Sequence, residues 1–126
     1  MLIEKEVKKT GAKRLVVDSV TAIAYSLEDK ARIRKFIFDL GTILATLGCT
    51  TILTSEVASK EYSVYGVEEF ISDGIIMFKQ EEQKFQTVRS LEIVKMRGIK
   101  FQRGAHAFRI TTKGIKLFPQ LQVPLT

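Results

Sequence analysis

Two short β-branched runs, Leu15-Val16-Val17 and Thr50-Thr51-Ile52-Leu53, stand on either side of a long amphipathic stretch. Both end on polar or acidic groups, Asp18-Ser19 and Thr54-Ser55-Glu56. Short apolar runs that stop on a carboxylate suit strands buried on both faces. The stretch between them places apolar residues at 33, 37, 40, 44 and 47, with Phe36 and Ile43 widening the stripe, the pattern of a helix packed along one face. Ser26 stands three residues before Asp29, a capping-box spacing, and Gly48 closes the helix. Strand, helix, strand in this order is a right-handed βαβ crossover and makes the two strands parallel neighbours. Ligands bind at the carboxyl ends of strands in such sheets. Asp18, Ser19, Ser55 and Glu56 are therefore expected to face one crevice.

The flanks differ in character. Residues 2–10 read as a short amphipathic helix ended by Gly11. After a polar stretch at 58–65, a helical turn is expected over 67–71, a Ser72-Asp73-Gly74 turn, and a strand over 75–78. A polar turn at Glu81-Glu82-Gln83-Lys84 and an alternating run from Val88 to Met96 complete an antiparallel hairpin. A loop from Gly98 to Gly104 carries Lys100 and Arg103, and a last hairpin runs from Ala105 to Phe118 around Thr112-Lys113-Gly114. Pro119 and Pro124 punctuate a tail expected to fray. Phe36, Phe38, Phe70, Phe78, Phe108 and Phe118 are assigned to the core. The fold class is α/β, a parallel βαβ core followed by antiparallel β-hairpins. One partial domain spans 1–126, with a parallel part at 1–79, a hairpin part at 80–119 and a tail at 120–126.

Composition bounds the rest. With 126 residues, 45% apolar and 27% charged, the chain is one globular domain at most and neither disordered nor built from repeats. Its net charge of +6 suits a nucleic-acid binder, a phosphate-ligand protein or a plain soluble surface equally. No apolar run approaches the ~20 residues of a membrane span, and the opening Met-Leu-Ile-Glu-Lys-Glu is too charged for a secretory leader. Cys49 is the single cysteine and reads as a buried free thiol. The expectation is a cytoplasmic protein with no membrane partner.

Three constellations carry chemistry. Asp18 at a strand end could hold a magnesium-bound water, because Mg²⁺ takes few protein ligands directly. The same pattern also arises wherever a strand meets a loop. In Lys95-Met96-Arg97-Gly98 an alternating strand puts two cations on one face, and Gly98 lets the backbone turn after them. Such a pair suits the γ-phosphate of a nucleotide, and equally a solvated face or a nucleic-acid stripe joined by Arg89, Lys100 and Arg103. Ser55-Glu56 could orient an attacking water or cap a loop. His106 has no metal-ligand spacing to Cys49, and Tyr62 and Tyr65 in the polar stretch could stack on bases or a partner.

Several of these segments together resemble the carboxyl-terminal half of a RecA-like ATPase core, in its KaiC-like branch. They are Gly11-Ala12-Lys13-Arg14-Leu15-Val16-Val17-Asp18-Ser19-Val20-Thr21-Ala22, Thr54-Ser55-Glu56, and Gly66-Val67-Glu68-Glu69-Phe70-Ile71-Ser72-Asp73-Gly74-Ile75-Ile76. Arg89-Ser90-Leu91-Glu92-Ile93-Val94-Lys95-Met96-Arg97-Gly98, Phe108-Arg109-Ile110-Thr111 and Gly114-Ile115 complete the set. The resemblance implies an ATP-binding and hydrolysing domain using Mg²⁺ within a ring or other homo-oligomer. Asp18 looks like the Walker B aspartate with Ser19 its polar neighbour. Ser55 and Glu56 look like the polar end of the next central strand. Lys95, Arg97 and Gly98 fall where relatives place a Lys-x-Arg finger that reaches the γ-phosphate of the neighbouring subunit.

The chain departs from that pattern in three ways. Relatives commonly read Arg-Gly-Thr-x-His where this chain has Arg97-Gly98-Ile99-Lys100-Phe101. The glutamate that usually precedes the Walker B strand is missing. No Gly-x-x-x-x-Gly-Lys-Ser/Thr occurs, so no loop supplies the backbone N–H nest and lysine that hold the β- and γ-phosphates. In the resembled fold the P-loop strand lies between the strand ending at Glu56 and that at 75–78, so its removal leaves two unpaired edges. The chain is expected to be a fragment of a longer ATPase, inactive alone. Two alternatives remain open: a P-loop-less regulator of a P-loop-bearing partner chain, and a nucleic-acid module built on Lys95, Arg97, Lys100 and Arg103.

Overall fold

The computed structural model describes residues 2–57 and 68–123. The chain divides into two compact units, Met1–Ser72 and Asp73–Thr126.

In the first unit, α1 (Leu2–Thr10) leads into β1 (Arg14–Val17), α2 (Val20–Tyr25), α3 (Lys30–Leu47), β2 (Thr50–Leu53) and α4 (Glu68–Ile71). The crossover expectation holds: β1 and β2 pair in parallel, from Arg14 opposite Thr50 to Val17 opposite Leu53. The ladder continues past the strands, with the Thr54 N–H donating to the Val17 carbonyl and the Val20 N–H to the Thr54 carbonyl. This locks the two strand ends together. Gly48 closes α3 at φ 68, a left-handed conformation that glycine adopts without a Cβ penalty.

The start of α3 differs from the capping-box expectation. Asp29 is itself the N-cap, accepting from the Ala31 N–H, while Ser26 ends α2 and its hydroxyl donates to the Ile23 carbonyl. The one-and-a-half-turn α2 is an unforeseen element. It has no long stripe to announce it, and Ser19 nucleates it by accepting from the Ala22 N–H. Val17, Val20, Ala24, Ile33 and Ile37 form the core of the unit, with Leu15, Leu53 and Ile71 packed against it. Ile37 and Leu40 are completely buried, each such side chain contributing roughly 1.5–3 kcal/mol of transfer free energy.

The expectation of strands buried on both faces is corrected within this unit. Leu15, Val17 and Leu53 point into the helical layer, but Val16 and Ile52 remain 62% and 59% exposed on the opposite face. One helical layer covers one face of a two-stranded ribbon, and strand alternation sends every second side chain outward. Phe38 and Phe70 are likewise exposed instead of core. Cys49 is half-buried, its thiol donating to the Ala12 carbonyl.

The second unit is a four-stranded antiparallel sheet in the order β3 (Gly74–Gln83), β4 (Gln86–Met96), β5 (Ala105–Thr111), β6 (Gly114–Val123). β3 runs through Glu81 to Gln83, so the turn contracts to Lys84 and Phe85. Polar residues tolerate the exposed end of a two-stranded ribbon, which a composition-based turn assignment misses. Pro119 lies inside β6, not in a frayed tail. Three residues of β6 bulge between Phe118, opposite Ala107, and Gln122, opposite His106. The bulge frees the Pro119 carbonyl to meet Nδ1 of buried His106 at 3.0 Å, an edge-strand position that suits proline. Phe108 is buried and meets Phe78 edge-on at 5.5 Å, while Phe78 is otherwise half exposed. Among the described residues no helix is long and apolar enough to cross a membrane.

Candidate functional site

The polar ends of the parallel strands meet in the first unit. Asp18 follows β1 directly, and the Thr54 hydroxyl at the end of β2 donates to its Oδ1 at 2.7 Å. The Asp18–Ser19 peptide is cis. Asp18 is exposed to solvent, so its second oxygen is accessible to a water-coordinated cation. Ser19 caps α2 and so contributes its oxygen to the helix start.

Ser55 and Glu56 are exposed and are placed by one residue of α2. Thr21 lies 3.4 Å from the Ser55 hydroxyl, and its own hydroxyl accepts from the Glu56 N–H at 2.9 Å. The backbone at Ser55-Glu56 is thereby tied to the first turn of α2. Four sequence-expected residues, Asp18, Ser19, Ser55 and Glu56, thus gather at one edge of the unit. Thr54 and Thr21, which hold them, were not anticipated. The available signal was position, since both are hydroxyl residues adjoining the strand-end polar groups.

In the second unit Lys95 sits near the end of β4 opposite Ile75, where an irregularity between Ile75 and Ile76 shifts the register. Arg97 lies just past the strand. Its N–H donates to the Asp73 carbonyl at 2.7 Å, and its guanidinium meets the Asp73 carboxylate at 2.9 Å. Both side chains of this pair are mostly exposed, a setting in which an ion pair is worth about 0–1 kcal/mol. Gly98 has φ 80, the sharp turn expected of it. The Tyr62 and Tyr65 stacking expectation falls outside the described residues.

Among the described residues no group of three or more His, Cys, Asp or Glu stands together. A lone carboxylate such as Asp18 could serve Mg²⁺ only as one ligand among several, because the ion takes few protein ligands and keeps several waters.

Comparison with known proteins gives a consistent picture. The family described as "ATPase: KaiC" matches residues 2–122. The circadian clock oscillator protein KaiC of Acaryochloris marina is 37% identical over 98% of this chain and 24% of its own length. The UPF0273 protein of Thermotoga maritima is 39% identical over 94% of this chain and 48% of its own length. The crystal structure of a KaiC-like protein from Pyrococcus horikoshii superposes with a TM-score of 0.83 at 40% identity, covering 94% of this chain and 54% of that one. The chain therefore spans about a quarter of the clock proteins and about half of the two shorter relatives.

Proposed function

Because the chain belongs to the KaiC family of ATPases, we propose that it supplies the Walker B half of an ATP-hydrolysing domain and a cationic finger for a neighbouring subunit. The observation that carries this reading is the fixed carboxylate at the end of β1, with Asp18 held by Thr54 across the parallel pair. One oxygen is oriented by the hydroxyl and the other faces solvent, the arrangement a metal-bound water requires.

Magnesium, when bound with ATP, neutralises phosphate charge that builds up as the terminal phosphoryl group departs. Asp18 would hold the cation by accepting a hydrogen bond from one of its waters. Ser55 and Glu56, anchored through Thr21, offer a hydroxyl and a carboxylate that can orient the attacking water. Lys95 and Arg97 bind the γ-phosphate on the adjoining subunit, where Arg97 exchanges its exposed Asp73 partner for a more highly charged anion. A homo-oligomeric ring supplies that neighbour.

No residues of this chain form a P-loop, so the β- and γ-phosphates must be cradled by a segment or partner chain that has one. The exposed Val16 and Ile52 face supports this reading, since parallel ribbons are covered on both sides in complete α/β sheets.

The test is ATP turnover with and without the P-loop half of a KaiC-like relative. The chain alone is expected to show none. Adding the P-loop half is expected to restore turnover, and Arg97→Ala in that mixture to lower kcat at least about 10-fold, matching loss of one transition-state cation. Turnover that never appears, or that is indifferent to Arg97→Ala, contradicts the proposal.

A further inference from the structure

The positive charge of the chain is segregated. The first unit balances ten Lys and Arg against ten Asp and Glu, so the whole +6 belongs to the second, with ten against four. Beyond Glu92 the remaining 34 residues hold seven Lys and Arg and no carboxylate.

Three of these ten cations, Arg109, Lys113 and Lys116, lie on the β5–β6 hairpin. Arg109 of β5 stands directly opposite Lys116 of β6, a like-charged cross-strand pair of the kind that costs folding stability. Among the described residues neither is paired with a carboxylate. Both lie over one ring instead, the guanidinium 5.8 Å and the ammonium 5.4 Å from the Phe118 centroid. The residue opposite Phe118 is Ala107, too small to cover the ring, which leaves it to the two cations. Both cations are exposed. Lys113 extends the row at the hairpin turn, next to the Thr111–Gly114 pair that closes the strands. Arg109 and Lys116 stand side by side across the two strands, and Lys113 lies beyond them at the turn.

We propose that this face of the β5–β6 hairpin docks the sugar–phosphate backbone of a nucleic acid. A line of phosphates beside Arg109, Lys113 and Lys116 turns a repulsive pair into a bridged one and releases counterions. The neighbouring groups give no base readout: Ala107 is apolar, and the Thr111 hydroxyl already donates to the Gly114 carbonyl. The site therefore binds without sequence preference. An acidic peptide adding to the β6 edge is disfavoured, because Pro119 breaks the row of N–H donors such an edge must present.

The experiment is fluorescence anisotropy of the full chain with labelled oligothymidylate, with a labelled duplex, and with labelled polyglutamate, across about 50–200 mM salt. Binding of either nucleic acid with an affinity that falls as salt rises is expected. Arg109→Gln with Lys116→Gln should flatten the log–log slope by about 1.4 for the single strand or about 1.8 for the duplex. The swapped variant, Arg109→Lys with Lys116→Arg, should retain both slope and affinity. Circular dichroism checks folding of each variant. Should the double variant fail to fold, Lys113→Gln at the exposed turn should still lower the slope by about 0.7 for a single strand. Polyglutamate binding as tightly as the nucleic acids, or an unchanged slope in folded Gln variants, overturns the proposal.

Discussion

Gly41→Ala separates packing from intrinsic helix preference. Gly41 lies inside α3, and by propensity alone alanine there should stabilise the helix by about 0.8–1.0 kcal/mol. The structure argues the opposite. A Cβ at this position would stand 2.8 Å from Ile71 Cβ, 2.9 Å from its Cγ2 and 3.2 Å from its Cδ1, against an optimum near 3.5–4.0 Å. Ile71 is the last residue of α4, so either α4 shifts or Ile71 leaves its place against the core. Overpacking of this size costs about 1–3 kcal/mol. Set against the propensity gain, the net expectation is a loss of about 1 kcal/mol. Urea unfolding followed by far-ultraviolet circular dichroism is the assay, since the chain has no Trp to report by fluorescence. Ile71→Ala removes two of the three close atoms, so Gly41→Ala should be about 1 kcal/mol less harmful in that background. A gain of the full propensity increment in the unaltered chain would refute the packing of α4 on α3.

Other perturbations follow from the same structure. Ile37→Ala, at a completely buried position, should destabilise the first unit by about 2–5 kcal/mol in the same denaturation assay. Gly48→Ala places a Cβ in open space at φ 68, so its expected loss of about 1–2 kcal/mol comes from backbone strain alone. Thr54→Val removes the donor to Asp18 and should cost less than about 1 kcal/mol because the site is exposed, while lowering magnesium-dependent turnover in the reconstituted enzyme. The hydrogen bond from Lys8, together with its charge, holds the Glu4 carboxyl below its ordinary value. That contribution is present above the unfolded-state value and lost as pH falls through the folded one. Lys8→Ala should let the Glu4 carboxyl titration followed by NMR move back up.

Much of the first unit was legible because its signals are periodic or steric. The stripe at 33, 37, 40 and 44 became the buried side of α3, and Gly48 closed it as expected. The order of strand, helix and strand dictated parallel pairing. What escaped was local or depended on neighbours. α2 is too short to show a period, and its cap, Ser19, was read only as a site residue. Burial of β1 and β2 on both faces depends on a second covering layer, which a sequence pattern cannot count. In the second unit, alternation located the strands, but polar composition hid the length of β3, and the fraying tail expected from Pro119 is instead strand, because the bulge that accommodates the proline forms only with β5 as partner. At the candidate site the end groups Asp18, Ser55 and Glu56 were legible as strand termini. The threonines that orient them were not, because a hydroxyl near a strand end has many alternative partners.

Asp18 is proposed as the cation-positioning carboxylate of an ATPase domain, with the phosphate cradle supplied from outside these 126 residues. Its most direct test joins the P-loop half of a KaiC-like relative to this chain and measures magnesium-dependent ATP hydrolysis with Asp18 and with Asp18→Asn. Turnover is expected in the first case and a loss of at least about 100-fold in the second, for a variant that keeps the shape and removes the charge. Equal turnover by both proteins would contradict it.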